Sequence, residues 1–154
     1  MKNLAPILFV ITILFTQCKK KDNCPNPTTT APASEVTALE TYLTNNNITA
    51  TKDSRGFYYT ISTPGGSSKP DNCATVTVKY KGMLTNGSVF DQSTSAISFP
   101  LANLIIGWQE GIPLIGITGK IRLYLPPTLG YGSSGSSGIP GNSILIFDVE
   151  LIGF

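Results

Sequence analysis

The sequence predicts an α+β domain with an antiparallel sheet, and three observations carry that prediction. Residues 74–84 and 120–125 each alternate apolar and polar side chains, the period-two mark of a half-buried strand. Asn86-Gly87 follows the first of these runs and is a strong signal for a tight hairpin, which joins antiparallel neighbours. Helical spacing is confined to short stretches, and long loops separate the strands.

From the N-terminus, Met1-Lys2-Asn3 gives a short positive start, and residues 4–15 are almost wholly apolar. That run is about a dozen residues, short of the roughly 20 a membrane-spanning helix needs. Residues 1–17 therefore read as a signal peptide. Leu14-Phe15-Thr16-Gln17-Cys18 resembles the lipobox of bacterial lipoproteins in the relaxed form familiar in Bacteroidetes. Gln17 stands where a small residue is usual, and Phe15 where Leu is usual. The resemblance implies a signal peptide, Cys18 as the lipidated first residue of the mature chain, and a lipid-anchored envelope location, periplasmic or at the outer membrane. The alternative is an ordinary secretory signal with Cys18 as a bystander. Residues 18–33 are rich in Lys, Pro, Thr and Asn without apolar periodicity, the pattern of a flexible tether. If Cys18 carries lipid, Cys24 and Cys73 remain as an even pair in an oxidising compartment. They are expected to form a disulfide; two unrelated thiols are the alternative.

Residues 34–72 read as an N-terminal extension of one helix and one strand. Ser34 is placed to cap a helix in which Val36, Leu39, Tyr42 and Leu43 recur at helical spacing, and Asn45-Asn46-Asn47 ends it. Residues 57–61 are aromatic and β-branched, a strand broken by Pro64-Gly65-Gly66-Ser67-Ser68. Residues 73–154 form the main domain. Val76, Val78 and Tyr80 share one face of its first strand, with Thr75, Thr77, Lys79 and Lys81 on the other. Residues 101–110 read as a short helical segment. Ile121, Leu123 and Leu125 share a face of the next strand, and residues 133–138 are a glycine–serine loop. Residues 142–152 are apolar at most positions, which predicts a central strand.

Charged residues make up only 13% of the chain, and the formal net charge is +2 with much of the excess in Lys19-Lys20-Lys21. No long basic face is visible, which argues against a nucleic-acid partner. Histidine is absent, so the commonest general base and metal ligand are missing, as is any Ser–His or Cys–His nucleophile pair. Two cysteines without histidine make a poor metal site. No Gly-Lys-Ser/Thr follows the glycine-rich runs, so there is no P-loop. No metal and no cofactor are expected.

Five motifs then share an order and nearly a spacing. They are Val78-Lys79-Tyr80-Lys81-Gly82-Met83-Leu84, Asn86-Gly87-Ser88-Val89-Phe90-Asp91, Leu104-Ile105-Ile106-Gly107-Trp108-Gln109-Glu110-Gly111, Leu129-Gly130-Tyr131-Gly132, and Ile144-Leu145-Ile146-Phe147-Asp148-Val149-Glu150-Leu151. Together they resemble the FKBP-type peptidyl-prolyl cis-trans isomerases over residues 75–151. The resemblance implies an FKBP-like antiparallel sheet wrapped around a short α-helix, and a pocket for X-Pro bonds of exported proteins. It places Tyr80, Asp91, Ile105 and Tyr131 as catalytic positions. Asp91 accepts hydrogen bonds at the rim, and the Tyr131 hydroxyl and Ile105 backbone N–H donate to the bound carbonyl. Phe90, Ile97, Phe99, Leu104, Trp108 and Phe147 are implied as substrate-binding, with Trp108 as the floor. Ile97 stands where the family often has phenylalanine, the segment from Ile97 to Trp108 is short by about two residues, and the loop after Tyr131 lacks an aromatic. The implied partners are proline-containing client polypeptides, the membrane through the N-terminal lipid, and a macrolide ligand.

Such residues suit the chemistry. An amide's planarity is held by resonance, with a rotation barrier of roughly 18–20 kcal/mol. The twisted amide is less polar than the planar one, so a dry pocket favours it relative to water. A thousandfold acceleration needs only about 4 kcal/mol. Shape, desolvation and one or two hydrogen bonds can supply that without a proton-transfer residue. The competing expectation is a low-turnover chaperone or proline-segment binding module of the envelope.

Overall fold

The computed structural model describes residues 24–154; the expected signal peptide, Cys18 and the lysine run lie outside the described residues. Its elements are α1 (Ala33–Asn45), β1 (Thr51–Lys52), β2 (Tyr58–Thr63), β3 (Thr75–Leu84), β4 (Val89–Pro100), α2 (Ile106–Gly111), β5 (Lys120–Leu125) and β6 (Leu145–Gly153). The strands form one sheet in the order β1-β2-β5-β6-β3-β4, with every neighbouring pair antiparallel. This is the expected α+β architecture. β6 lies centrally between β5 and β3, as its apolar run predicts.

Alternation sorts the side chains onto two faces. Leu123, Leu125, Leu145, Phe147 and Val149 join Trp108 and Ile112 of the α2 region in the main core. Their neighbours Tyr124 and Ile146 join Tyr58 and the α1 residues Leu39 and Leu43 in a second cluster. Because successive strand residues face opposite ways, α1 and α2 pack on opposite faces of the sheet. Gly107 lets α2 approach β5 closely, since a Cβ there would lie 2.4 Å from the Leu125 methyls. Among the described residues no helix is long and apolar enough to cross a membrane.

Several local readings change. Ser34 does not cap α1. Pro32 is the cap residue, and its carbonyl accepts from Glu35 and Val36 N–H at 3.0 and 3.1 Å. The backbone of Pro32 turns the chain into the helix, so Ser34 already lies inside its first turn. The strand read at 57–61 runs instead from Tyr58 to Thr63. The segment read as helical over 101–110 splits into a 3-10 turn at Leu101–Asn103 and α2, because Leu104 and Ile105 are extended between them.

Residues 24–33, expected as tether, lie against the domain. Cys24 is disulfide-bonded to Cys73 with their Cα atoms 5.2 Å apart. Asn26 Oδ1 accepts from Asn72 Nδ2 at 2.9 Å, Pro27 O accepts from Arg55, and Ala31 is buried in the main core. These are single anchors, and single anchors leave no periodicity to read. The extension 34–72 is likewise joined to the sheet, through the β2–β5 pairing.

Candidate functional site

The site is a cavity of about 210 Å³ lined by Tyr80, Asp91, Phe99, Leu104, Ile105, Trp108, Tyr131 and Phe147. Four elements and one loop bring these together. β3 and β6 supply Tyr80 and Phe147, β4 supplies Asp91 and Phe99, α2 and its entry supply Leu104, Ile105 and Trp108, and the loop after β5 supplies Tyr131.

The rings meet edge to face around Trp108. Its centroid lies 5.2 Å from Tyr80, 5.3 Å from Phe147 and 6.4 Å from Phe99, at interplanar angles of 82 to 84°. Such edge-on contacts are worth about 0.5–1.5 kcal/mol each beyond the buried area, so the indole is held on three sides. Trp108 is buried, and its Nε1–H has no hydrogen-bond partner among the described residues.

Apart from the indole N–H, the polar side-chain groups of the cavity come from Tyr80, Asp91 and Tyr131. Tyr80 Oη donates to Asp91 Oδ2 at 2.7 Å. Burial, followed by that hydrogen bond and the carboxylate's charge, pushes the Tyr80 phenol up to about 12. Tyr131 is 37% exposed, and its phenol is raised by burial and then by the Asp91 charge. Both phenols therefore stay protonated, and stay donors, through the physiological range. The Tyr131 hydroxyl and the Ile105 N–H have no partner among the described residues. The extended Ile105, which the sequence reading merged into a helix, leaves that N–H out of the helical ladder. Gln109 Nε2 donates to Leu104 O at 2.7 Å and fixes this entry.

Two expected lining residues are elsewhere. Phe90 stands behind the wall, its ring 5.5 Å from that of Phe147 and packed over Gly82, where a Cβ would lie 2.7 Å from it. Phe90 and Asp91 are consecutive in a strand, so one facing the pocket turns the other away. Ile97 is 41% exposed and outside the cavity. The β3–β4 register shifts between Val78↔Ile97 and Tyr80↔Ser93, so β4 carries two extra residues and Ile97 stands at the edge of that bulge.

A wider groove of about 770 Å³ lies on the sheet's other side, along Lys79, Lys81, Lys120, Arg122, Asp148 and Glu150. Four of these six charges pair: Arg122 forks onto Asp148 at 2.6 and 2.7 Å, and Lys120 lies 3.6 Å from Glu150. It lacks the converging aromatic walls of the smaller cavity. Sequence reading also missed two long-range contacts to the site from the extension, Glu35 to Thr128 and Arg55 to Glu110. Partners so far apart in the chain leave no local pattern.

Residues 66–152 match the family described as FKBP-type peptidyl-prolyl cis-trans isomerase. The chain is 48% identical over 105 residues to the FKBP-type peptidyl-prolyl cis-trans isomerase FkpA of Buchnera aphidicola (Schizaphis graminum), covering 66% of this chain and 42% of that protein. It is 45% identical over 102 residues to FkpA of Escherichia coli K12, covering 64% and 38%. The chain thus spans about two fifths of the length of these curated relatives. The crystal structure of Escherichia coli FkpA aligns with a TM-score of 0.69 at 39% identity, over 79% of this chain and 57% of that one. A peptidyl-prolyl cis-trans isomerase from Pseudomonas syringae aligns with a TM-score of 0.69 at 32% identity, over 81% and 97%.

Proposed function

Because the chain belongs to the FKBP-type peptidyl-prolyl cis-trans isomerases, we propose that it accelerates rotation about X-Pro bonds of exported proteins (EC 5.2.1.8) at the Trp108 cavity. The observation that carries this reading is the aromatic box around Trp108, with the unpartnered Tyr131 hydroxyl and Ile105 N–H among its lining residues.

The proline ring sits on Trp108 between Tyr80, Phe99 and Phe147. The box excludes water, which removes the solvation that favours the planar, polar amide. The Tyr131 hydroxyl and Ile105 N–H hold the preceding carbonyl while the bond turns. Tyr80 holds Asp91 at the rim, where the carboxylate accepts from the client backbone. No proton leaves carbon and no covalent bond forms, so the lack of histidine is no obstacle. The test is cis-to-trans exchange of a proline peptide measured with the full chain in detergent; a rate equal to the uncatalysed one sinks the reading.

A low-turnover chaperone is the second reading. Ile97 and Val89 favour it, being exposed apolar residues on β4, the strand that carries Asp91 and Phe99. Client binding that survives Asp91→Ala with Tyr131→Phe while isomerisation is lost would select it. The leader and its lipobox support lipidation of Cys18 and an envelope location; mass spectrometry of the mature N-terminus tests that. The Cys24–Cys73 disulfide supports an oxidising compartment. A macrolide is proposed as a ligand of the same cavity, tested by inhibition of the exchange.

A further inference from the structure

The segment preceding the matched family region reaches two walls of the cavity. Glu35, in the first turn of α1, accepts from Thr128 N–H at 2.8 Å and from Thr128 Oγ1 at 2.7 Å, across 93 residues. Thr128 lies in the 3-10 turn Pro127–Leu129. The Pro127 carbonyl in turn accepts from Gly130 and Gly132 N–H at 2.9 and 2.8 Å, the residues on either side of Tyr131. Holding Thr128 therefore fixes the loop from which Tyr131 projects. On the opposite wall, Arg55 Nη1 lies 2.5 Å from Glu110 Oε1, two residues beyond Trp108 in α2. The same guanidinium donates to Pro27 O, and the Arg55 carbonyl accepts from Ala31 N–H at 2.9 Å. Both side chains of the Arg55–Glu110 pair are largely buried, and losing one partner of such a pair is costly.

We propose that Glu35 and Arg55 are positioning residues for the isomerase site, Glu35 acting through the Tyr131 loop and Arg55 through the Trp108 helix. The extension does not need them for attachment, because the β2–β5 pairing and the apolar face of α1 already dock it. Their carboxylate and guanidinium go instead to the two elements whose placement sets the donor and the floor. Orientation errors of about 1 Å at such groups cost large factors in rate. The activity part of this proposal rests on the isomerase reading; the structural part does not.

The experiment exploits Trp108 being the sole tryptophan, so its emission and acrylamide quenching report the cavity floor alone. Full-length Glu35→Ala and Arg55→Leu are each expected to lower kcat/KM about tenfold, chiefly in kcat. Arg55→Leu should also raise Trp108 quenching about twofold. Glu35→Gln keeps an oxygen for the Thr128 N–H and an NH2 for its hydroxyl, so it should stay within about threefold of wild type. Lys52→Ala, which breaks the exposed pair with Glu40 at 2.8 Å, should leave both readouts at wild-type values. A cycle of Glu35→Ala with Thr128→Val should be non-additive. Folded Glu35→Ala and Arg55→Leu proteins with lower melting temperature but wild-type kcat/KM and quenching would overturn the proposal, as would an additive cycle. An inactive wild type would refute the isomerase reading, and the quenching comparison would still decide the placement of Trp108 by Arg55.

Discussion

The Cys24–Cys73 bond gives a sharp stability prediction. It joins residues 49 apart in sequence. Cross-linking restricts the unfolded chain, and for a loop of that length the chain-entropy relation gives about 4 kcal/mol at 25 °C. The perturbation is Cys24→Ser with Cys73→Ser, which leaves no stray thiol from the pair. At about 4 °C per kcal/mol for a domain of this size, the melting temperature should fall by roughly 15 °C. Urea unfolding should show a lower midpoint and, because the unlinked chain expands further, a larger slope. Pocket geometry should survive at 25 °C, since Ala31, the Arg55 contacts and the Glu35–Thr128 contacts remain. The folded variant should therefore keep kcat/KM within about threefold. A loss of stability below about 1 kcal/mol would refute the argument that this bond acts through the unfolded chain.

Tyr131→Phe should lower kcat/KM about fivefold, the worth of one hydrogen bond of about 1 kcal/mol, with the melting temperature unmoved because the hydroxyl has no partner among the described residues; an equal rate would remove Tyr131 from the mechanism. Phe90→Leu should destabilise by about 1.5 kcal/mol through the lost ring contact with Phe147, measured by urea unfolding; no change would put Phe90 outside the wall. The Tyr80 phenol ionises near pH 10 when unfolded and at about 12 when folded. The folded state thus holds the proton longer, and its contribution is complete below pH 10 and lost as pH rises through 12. Urea midpoints across that range should fall less steeply in Tyr80→Phe, and parallel profiles would contradict the assignment.

Much of this was legible because it is local or ordered along the chain. β5 was read residue for residue from its alternation, and β6 was recognised as central from its apolar run. Eight of the expected pocket residues line one cavity, and all but Phe99 fall within the five motifs that share the family's order. Phe90 was misread because a motif gives proximity in sequence, whereas the pleat decides which way a side chain faces; Ile97 lies outside the motifs, at the edge of the β4 bulge. Strand β1 has only two residues and escaped notice, as did β4, whose Ser- and Thr-rich middle carries little apolar signal. The contacts made by residues 24–33 and by Glu35 and Arg55 depend on partners distant in the chain.

The place of β6 has a consequence for how the molecule is assembled. Among the described strands it alone connects the β1-β2-β5 half of the sheet to the β3-β4 half. Until residues 145–153 arrive, no strand pairing joins the two halves. Pairing across such separations is slow to form and leaves intermediates prone to aggregate. The domain therefore cannot close until β6 is free to pair on both of its sides. Throughout that interval the unpaired edges of β5 and β3 would stand open to strands of other chains.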